Sequence, residues 1–391
     1  MSLPGFFNSQ RLQEILLAEI DSSLPPQITF ARYMDLALYH QQYGYYTNNI
    51  SIGSQGDFFT SASLGKDFGE LLAIQLEQMW RSLDCPTPFY LVEMGAGNGE
   101  LAHDILNYLQ TQGDRALLNA LIYIIIEQSS SLIEQQQSRL KSFDGIDLFW
   151  QDWADLPSNN IEGCFFSNEL VDAFPVHLVQ KQGGQLREVY LGLQDNKLTE
   201  TIDTLSTDKL TKYFARLSID LSDPKYSEGY RTEVNLQALN WLETVASKLK
   251  RGYVLTIDYG YKAEKYYLPS RNQGTLQCYY QHRRHNNPYA NLGYQDITAH
   301  VDFTTLERYG TQFALQPLGF TQQGLFLMAL GLGDRLNELS SGSFSISEIF
   351  QRRDALHQLI DPTGLGGYGV LIQGKNLTKP EQLLRGLTEP I

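Results

Sequence analysis

Several short stretches carry residue types that can grip a ligand, and their spacing sets them at successive turns. Glu93-Met94-Gly95-Ala96-Gly97-Asn98-Gly99 follows the apolar run Phe89 to Met94, which reads as a buried strand, and precedes a helical pattern. Glycines at such a turn let a ligand approach the backbone and let the helix pack on the sheet. A dinucleotide fingerprint would want a third glycine at position 100, but Glu100 stands there, and its carboxylate would repel a pyrophosphate. The turn therefore suits a ligand without phosphates. Glu127 ends the run Ile122 to Ile126, where an acidic residue takes both ribose hydroxyls in S-adenosylmethionine enzymes of this architecture. Asp152 and Trp153, just after a third strand, are placed to bond an adenine amino group and to lie against its ring. The expected cofactor is S-adenosylmethionine rather than NAD or ATP, and no G-x-x-x-x-G-K-[ST] loop is present. Glu93, Gly95, Gly97, Gly99, Glu127, Asp152, Trp153 and Asn168 are the candidate cofactor residues, with Gly56, Asp57 and Thr60 from an earlier turn. Each also has a plainer reading: the glycines as an ordinary strand–helix turn, Glu127 as a carboxylate at a helix start, Trp153 as core.

Positioning these groups calls for a parallel sheet. Strands at 121–126, 147–150, 163–167 and 253–257 alternate with helices at 101–110, 131–140 and 234–250, the β-α-β rhythm of an α/β domain. Helices are also expected around Arg32 to Tyr39 and from Leu64 to Leu83. Residues 1–88 read as an N-terminal cap, 89–185 as the first part of the cofactor-binding core, 186–233 as an accessory insertion, and 234–391 as the rest of the core. The insertion holds a strand at Leu186 to Leu193 and a polar, irregular stretch from Thr199 to Gly229, and a substrate-side loop spans 271–303. The chain has 391 residues, 42% of them hydrophobic, enough for a large domain with an accessory one. Cys85, Cys164 and Cys278 lie far apart, suggesting neither a disulfide framework nor a zinc knuckle, so no metal is expected. The formal net charge of -14 disfavours nucleic acid; the dense basic cluster His282-Arg283-Arg284-His285 reads as a solvated loop, or else an anion contact. Met1 to Phe7 lacks a basic leader pattern and Ala120 to Ile126 falls short of the ~20 residues that span a bilayer, so a cytoplasmic chain without membrane insertion is expected.

The motifs together resemble the MidA family of class I S-adenosylmethionine-dependent methyltransferases, whose mitochondrial branch is the complex I assembly factor 7 enzymes. The resemblance covers almost the whole chain. It rests on Gly44-Tyr45-Tyr46, Gly56 to Ser61, Phe68-Gly69-Glu70, Val92 to Gly97, Asn168 to Pro175, Glu233-Val234-Asn235, Ile257 to Gly260 and Asp296 to Phe303, in that order. It implies a Rossmann-like α/β sheet with an N-terminal cap and an inserted accessory domain. Its mitochondrial branch implies methylation of an arginine in a protein substrate, a respiratory or NDH-type complex I subunit among the candidates. Ala62-Ser63 and Tyr294 depart from the family's pattern, so the substrate side carries less of the resemblance.

Methyl transfer from a sulfonium is an in-line displacement that needs alignment in a dry pocket more than acid–base machinery. The fourth strand runs into Asn168-Glu169-Leu170-Val171-Asp172 and lacks the proline motif that grips an amide; Asn287-Pro288-Tyr289 follows no core strand and reads as a turn. Glu169 and Asp172, sharing one face of a helical turn, with Asp258 from the fifth strand, form an acidic set suited to an arginine guanidinium. Plainer readings are a helix start for the first pair and a cap for Asp258. His300 and Asp302 are further catalytic candidates, or more simply braces for a closing loop, as Asp57 is above the cofactor. An O-methyltransferase of small molecules and a non-catalytic assembly chaperone stand as alternatives, and the oligomeric state is left open, a homodimer included.

Overall fold

Successive side chains of a strand point to opposite faces, and runs that are apolar on both faces belong to a sheet covered on both sides. The computed structural model describes residues 4–48, 60–194, 197–281, 283–340, 344–379 and 383–389. In it the apolar runs form β1 (Phe89–Met94), β2 (Leu121–Ile126), β3 (Asp147–Gln151), β4 (Ile161–Asn168) and β5 (Leu249–Asp258). With β6 (Gln316–Gln322) and β7 (Gly369–Lys375) they make a seven-stranded sheet of order β6-β7-β5-β4-β1-β2-β3. The first five strands pair in parallel, whereas β7 runs antiparallel to both its neighbours. The strands expected from sequence are thus parallel, and the sheet is mixed only through β7, which was not expected.

Leu91, Tyr123, Ile125, Cys164, Phe166 and Leu255 face α1 (Asp67–Ser82) and α2 (Glu100–Thr111). Their alternates Val92, Ile124, Phe165 and Val254 face a second core. There they meet Trp241, Leu242 and Val245 of the helix Leu236–Lys248, hereafter α4, while α3 (Ser130–Leu140) follows β2. Helices at Pro4–Ser22, Gln323–Leu330 and Ile346–Ile360 add to the cores without having been expected from sequence. Among the described residues, no helix is long and apolar enough to cross a membrane.

The accessory sheet begins earlier than the expected insertion. It is antiparallel throughout, its path running Gln27–Thr29, Gln185–Gln194, His177–Gln182 and Arg231–Val234, with Lys197–Asp203 also on the second of these. The stretch from Thr199 to Gly229 is not irregular: it completes that last strand and then forms a helix, Asp208–Leu217. Leu210, Tyr213, Phe214 and Leu217 recur at helical spacing and are buried, a stripe diluted in the sequence by the polar residues between them. The 271–303 loop holds a small sheet of Gln277–Tyr280, Arg283–His285 and Asp296–Thr298. Arg283 and Arg284 are exposed on it, and Asn287 Oδ1 accepts the Tyr289 amide in the expected turn; His282 lies outside the described residues.

Glu233 ties the accessory sheet to that loop. Fully enclosed, its carboxylate accepts the Thr275 and Leu276 amides (2.9 and 3.1 Å to Oε1) and the Tyr266 hydroxyl (3.2 Å to Oε2). Glu233→Gln would turn an amide group toward donors, and the expected cost is about 1–3 kcal/mol of stability. Chemical denaturation would read this loss, accompanied by faster hydrogen exchange at Thr275; an unchanged midpoint would refute the tie.

Candidate active site

The carboxyl ends of β1, β2 and β4, with the segments that follow them, open on one cavity of about 1060 Å³. Between β1 and α2 the chain must reverse within a few residues. Gly95, Gly97 and Gly99 make the reversal with φ of +71°, +54° and +81°, angles that a Cβ disfavours. A Cβ on Gly95 would stand 2.8 Å from Leu170 Cδ1, so this glycine also lets the β1 turn meet the β4 turn. Gly95 and Gly97 border the cavity, and Gly99 is the N-cap of α2.

Glu127 stands at a helix start and at the cavity alike. It lines the cavity, and its Oε1 accepts the amides of Gln128 and Ser129 (2.8 and 3.0 Å) where α3 begins. Its other oxygen accepts from Gln136 Nε2 at 3.3 Å, and Gln136 Nε2 also donates to the Gly97 carbonyl at 2.7 Å. Trp150 Nε1 holds the Gln136 oxygen at 2.8 Å. This buried amide locks the glycine turn to the carboxylate beside it. Sequence reasoning passed over it, because Gln136 sits in a polar Glu134-Gln135-Gln136-Gln137 run that carries no motif.

Glu93 lines the cavity at the end of β1, where burial pushes its carboxyl up to about 7 and the Tyr123 hydroxyl donates to it at 2.6 Å. Trp153 lines it too, stacked on Phe165 with ring centroids 6.2 Å apart. Asp152 does not. Its turn closes on itself, Asp152 N to Asp155 Oδ2 at 3.1 Å, and the residue is exposed beside Trp153, outside the cavity lining. Thr60 borders the cavity, whereas Gly56 and Asp57 lie outside the described residues.

On the β4 side the wall is acidic. Glu169, at φ +53°, accepts the Ser61 amide (3.1 Å) and Asn168 Nδ2 (3.2 Å); burial, then Asp172, push it up to about 8. Asp172 is buried, with one oxygen, Oδ1, lacking a partner, and burial lifts it to about 6 against a bond from Tyr259. Asn168, Glu169 and Asp172 all line the cavity, and neither acid pairs with a basic side chain among the described residues. Tyr39, Tyr46, Tyr259, Tyr279 and Tyr368 build the walls around them, together with Asp296. None of these was singled out from sequence as a site residue: they come from distant segments, and only the fold brings them together.

Three expected catalytic residues stand elsewhere. Asp258 is fully buried behind the wall, its Oδ2 accepting the amides of Leu170 (3.2 Å), Val171 (2.9 Å) and Asp172 (3.2 Å), and its Oδ1 that of Tyr259 (2.9 Å). Its oxygens are spent on backbone, so it caps the turn instead of holding substrate. Asp302 caps the helix Phe303–Gly310, accepting the Thr304 and Thr305 amides. His300 sits between Tyr259 and Tyr261, both 5.1 Å away by ring centroid, outside the cavity lining, and burial pushes it down to about 4. No described trio of His, Cys, Asp or Glu forms a metal cluster.

Residues 71–321 match the family described as "Putative S-adenosyl-L-methionine-dependent methyltransferase". Across 99% of its length the chain superposes on a Burkholderia thailandensis protein crystallised with S-adenosyl-homocysteine, covering 97% of that chain with a TM-score of 0.87 and 30% identity. Over 91% of the chain and 82% of the relative, it is 29% identical to the Drosophila melanogaster "Protein arginine methyltransferase NDUFAF7 homolog, mitochondrial". The human "Protein arginine methyltransferase NDUFAF7, mitochondrial" is 29% identical over 90% of this chain and 80% of its own.

The residues present fit this cofactor: the left-handed glycines free backbone next to the cavity, Glu127 offers carboxylate oxygens for hydroxyls, and the Asn168 Oδ1 is buried without a partner. Calorimetry with S-adenosylhomocysteine should find Glu127→Ala weaker by roughly 1–3 kcal/mol and Gln136→Ala by about 1 kcal/mol. Asp152→Ala should leave the affinity unchanged, and equal losses at all three positions would contradict the placement. Asp258→Asn, which sets an amide nitrogen against backbone N–H groups, should instead cost about 1–3 kcal/mol of stability in denaturant titration. With the cavity, the fold and the whole-length likeness in agreement, the chain belongs to the family of S-adenosyl-L-methionine-dependent methyltransferases.

Proposed function

We propose that this methyltransferase acts on an arginine of a protein. The observation that carries the reading is the pair Glu169 and Asp172, set in the cavity among tyrosines with no basic partner among the described residues and with one buried Asp172 oxygen unpaired. A guanidinium is a planar cation with five N–H donors, charged at all physiological pH, and it satisfies such oxygens where a neutral nucleophile would not. The relatives' printed names, protein arginine methyltransferase, support the same substrate class. The family resemblance extends the proposal to a subunit of a respiratory or NDH-type complex I.

When bound, the cofactor supplies a methyl carbon on a positively charged sulfur. The chain's own residues have two tasks: Glu169 and Asp172 orient the guanidinium fork, and one of them takes up the proton that the methylated nitrogen sheds. Tyr39, Tyr46, Tyr259 and Tyr368 limit water around the cation. One observation favours the small-molecule O-methyltransferase reading. His177 borders the same cavity with Nδ1 2.7 Å from the buried Glu188, an arrangement that would suit removing a proton from a hydroxyl.

Labelled S-adenosylmethionine, added with the enzyme to a lysate of cells lacking the gene, separates the two. Mass spectrometry should place the label on arginine, and an ether or ester product would reject the proposal. Glu169→Gln and Asp172→Asn should keep cofactor affinity yet lose roughly a hundredfold in transfer.

A dependence on pH follows as well. Glu169 at about 8 and Asp172 at about 6 carry their charge only on the alkaline side of those values, and only the charged forms neutralise a cation. kcat/KM should therefore rise with pH across that interval, and Glu169→Gln should flatten the upper limb. A profile level from pH 6 to pH 8 would contradict the assignment.

A further inference from the structure

The small sheet of the 271–303 loop brings one acidic side chain into the cavity that neither the cofactor nor the acids after β4 account for. Asp296 opens the strand Asp296–Thr298, lines the cavity and is 3% exposed. Its register partner on the neighbouring strand is Tyr279, so the sheet presents an acid and an aromatic ring side by side, both bordering the cavity. From the opposite direction, Tyr46 of the N-terminal cap donates its hydroxyl to Asp296 Oδ1 at 2.7 Å, and Tyr46 is stacked on Tyr39 with ring centroids 5.3 Å apart. Tyr39 in turn donates to the Ala173 carbonyl at 3.0 Å, next to Asp172. The sheet is fastened at that same point, since the Ala299 amide donates to the Asp172 carbonyl at 2.9 Å. Cap, small sheet and β4 turn thus meet around one space. Asp172 lines it as well, and its Oδ1 is buried without a partner.

Glu169 and Asp172 can engage one edge of a guanidinium, but its five N–H donors spread over three nitrogens and leave a second edge uncovered. Asp296 stands on a separate element from those two acids and lines the same cavity.

We propose that Asp296, oriented by Tyr46 and flanked by Tyr279, is a third substrate-contacting carboxylate, and that the small sheet is the element by which this enzyme recognises a guanidinium. The inference rests on the arginine reading above. Tyr46 is a positioning residue in it, acting through the carboxylate it holds. The reacting nitrogen remains with Glu169 and Asp172, so Asp296 bears on how tightly and in which orientation the cation sits.

The full chain loaded with S-adenosylhomocysteine and titrated with ethylguanidinium tests this, with ethylammonium as the comparison cation. Wild type should bind ethylguanidinium in preference to ethylammonium, and Asp296→Asn should weaken that binding roughly fivefold or more while changing S-adenosylhomocysteine affinity by less than about twofold. If wild type shows no preference for ethylguanidinium, the arginine reading falls and takes this inference with it. If wild type shows the preference and Asp296→Asn binds equally well, the inference alone is overturned. Should Asp296→Asn fail to fold or lose the cofactor, Tyr46→Phe decides. It keeps the charge but removes one hydrogen bond that orients the carboxylate, and a two- to threefold loss for ethylguanidinium with unaltered cofactor affinity is expected, an approximate range for one lost hydrogen bond. No loss in that variant overturns the inference.

Discussion

A carboxylate with no access to water has to find its donors inside the protein, and Asp258 finds them in the backbone that follows a neighbouring strand. Three amides from Leu170 to Asp172 converge on one of its oxygens, and the Tyr259 amide meets the other. β4 and β5 pair in parallel register, Ile257 opposite Asn168, so the acid at the end of one strand meets the turn leaving the other. That turn includes Glu169 in a left-handed conformation, uncommon for a residue with a Cβ. The local strain is held by the bonds to Asp258 and by the Glu169 amide, which donates to the Ile257 carbonyl at 2.9 Å. Without this buried cap the acidic wall would have no fixed shape, and Leu170 would not sit against Gly95.

The cofactor side is organised by a similar economy of polar groups. Gln136 bonds the Gly97 carbonyl and Glu127 with its nitrogen and receives Trp150 on its oxygen, so one side chain from α3 connects the ends of β1, β2 and β3. Buried polar networks that are fully satisfied rigidify what they join. The two sides of the cavity therefore differ in kind: the glycine turn and Glu127 are tied together by internal bonds, while the β4 side keeps unpaired oxygens on Asn168 and Asp172.

What could be read from the sequence divides along the same line. The strands β1 to β5, the glycine turn and Glu127 were legible because each depends on local pattern: an apolar run, a reversal that needs glycine, an acid at a strand end. Glu169 and Asp172 were legible through their place after β4. Asp258 was identified as an acid at a strand end but assigned to substrate, since spacing does not say whether an oxygen faces a cavity or a neighbouring turn. Asp302 and His300, weighed as catalytic candidates beside a plainer bracing role, stand outside the cavity lining, which spacing does not reveal either. Gln136, Tyr46, Asp296 and Tyr368 were not recognised as site residues, because their meaning depends on contacts between segments far apart in the chain. The helix Asp208–Leu217 was missed on composition, its apolar stripe being narrow against a polar background.

The position of β7 has a bearing on how the molecule comes into being. Gly369–Lys375 is near the end of the chain, yet it lies inside the sheet, between β5 and β6. As the polypeptide leaves the ribosome, every residue of the glycine turn, the β4 turn and the accessory sheet emerges while this interior slot is still vacant. β5 then presents an open edge of apolar strand, and β6 has no strand to join. The nascent protein thus carries a nearly complete cofactor site on a sheet that cannot close, and the interval before its last strand arrives is when it is most exposed to mispairing and most in need of a chaperone.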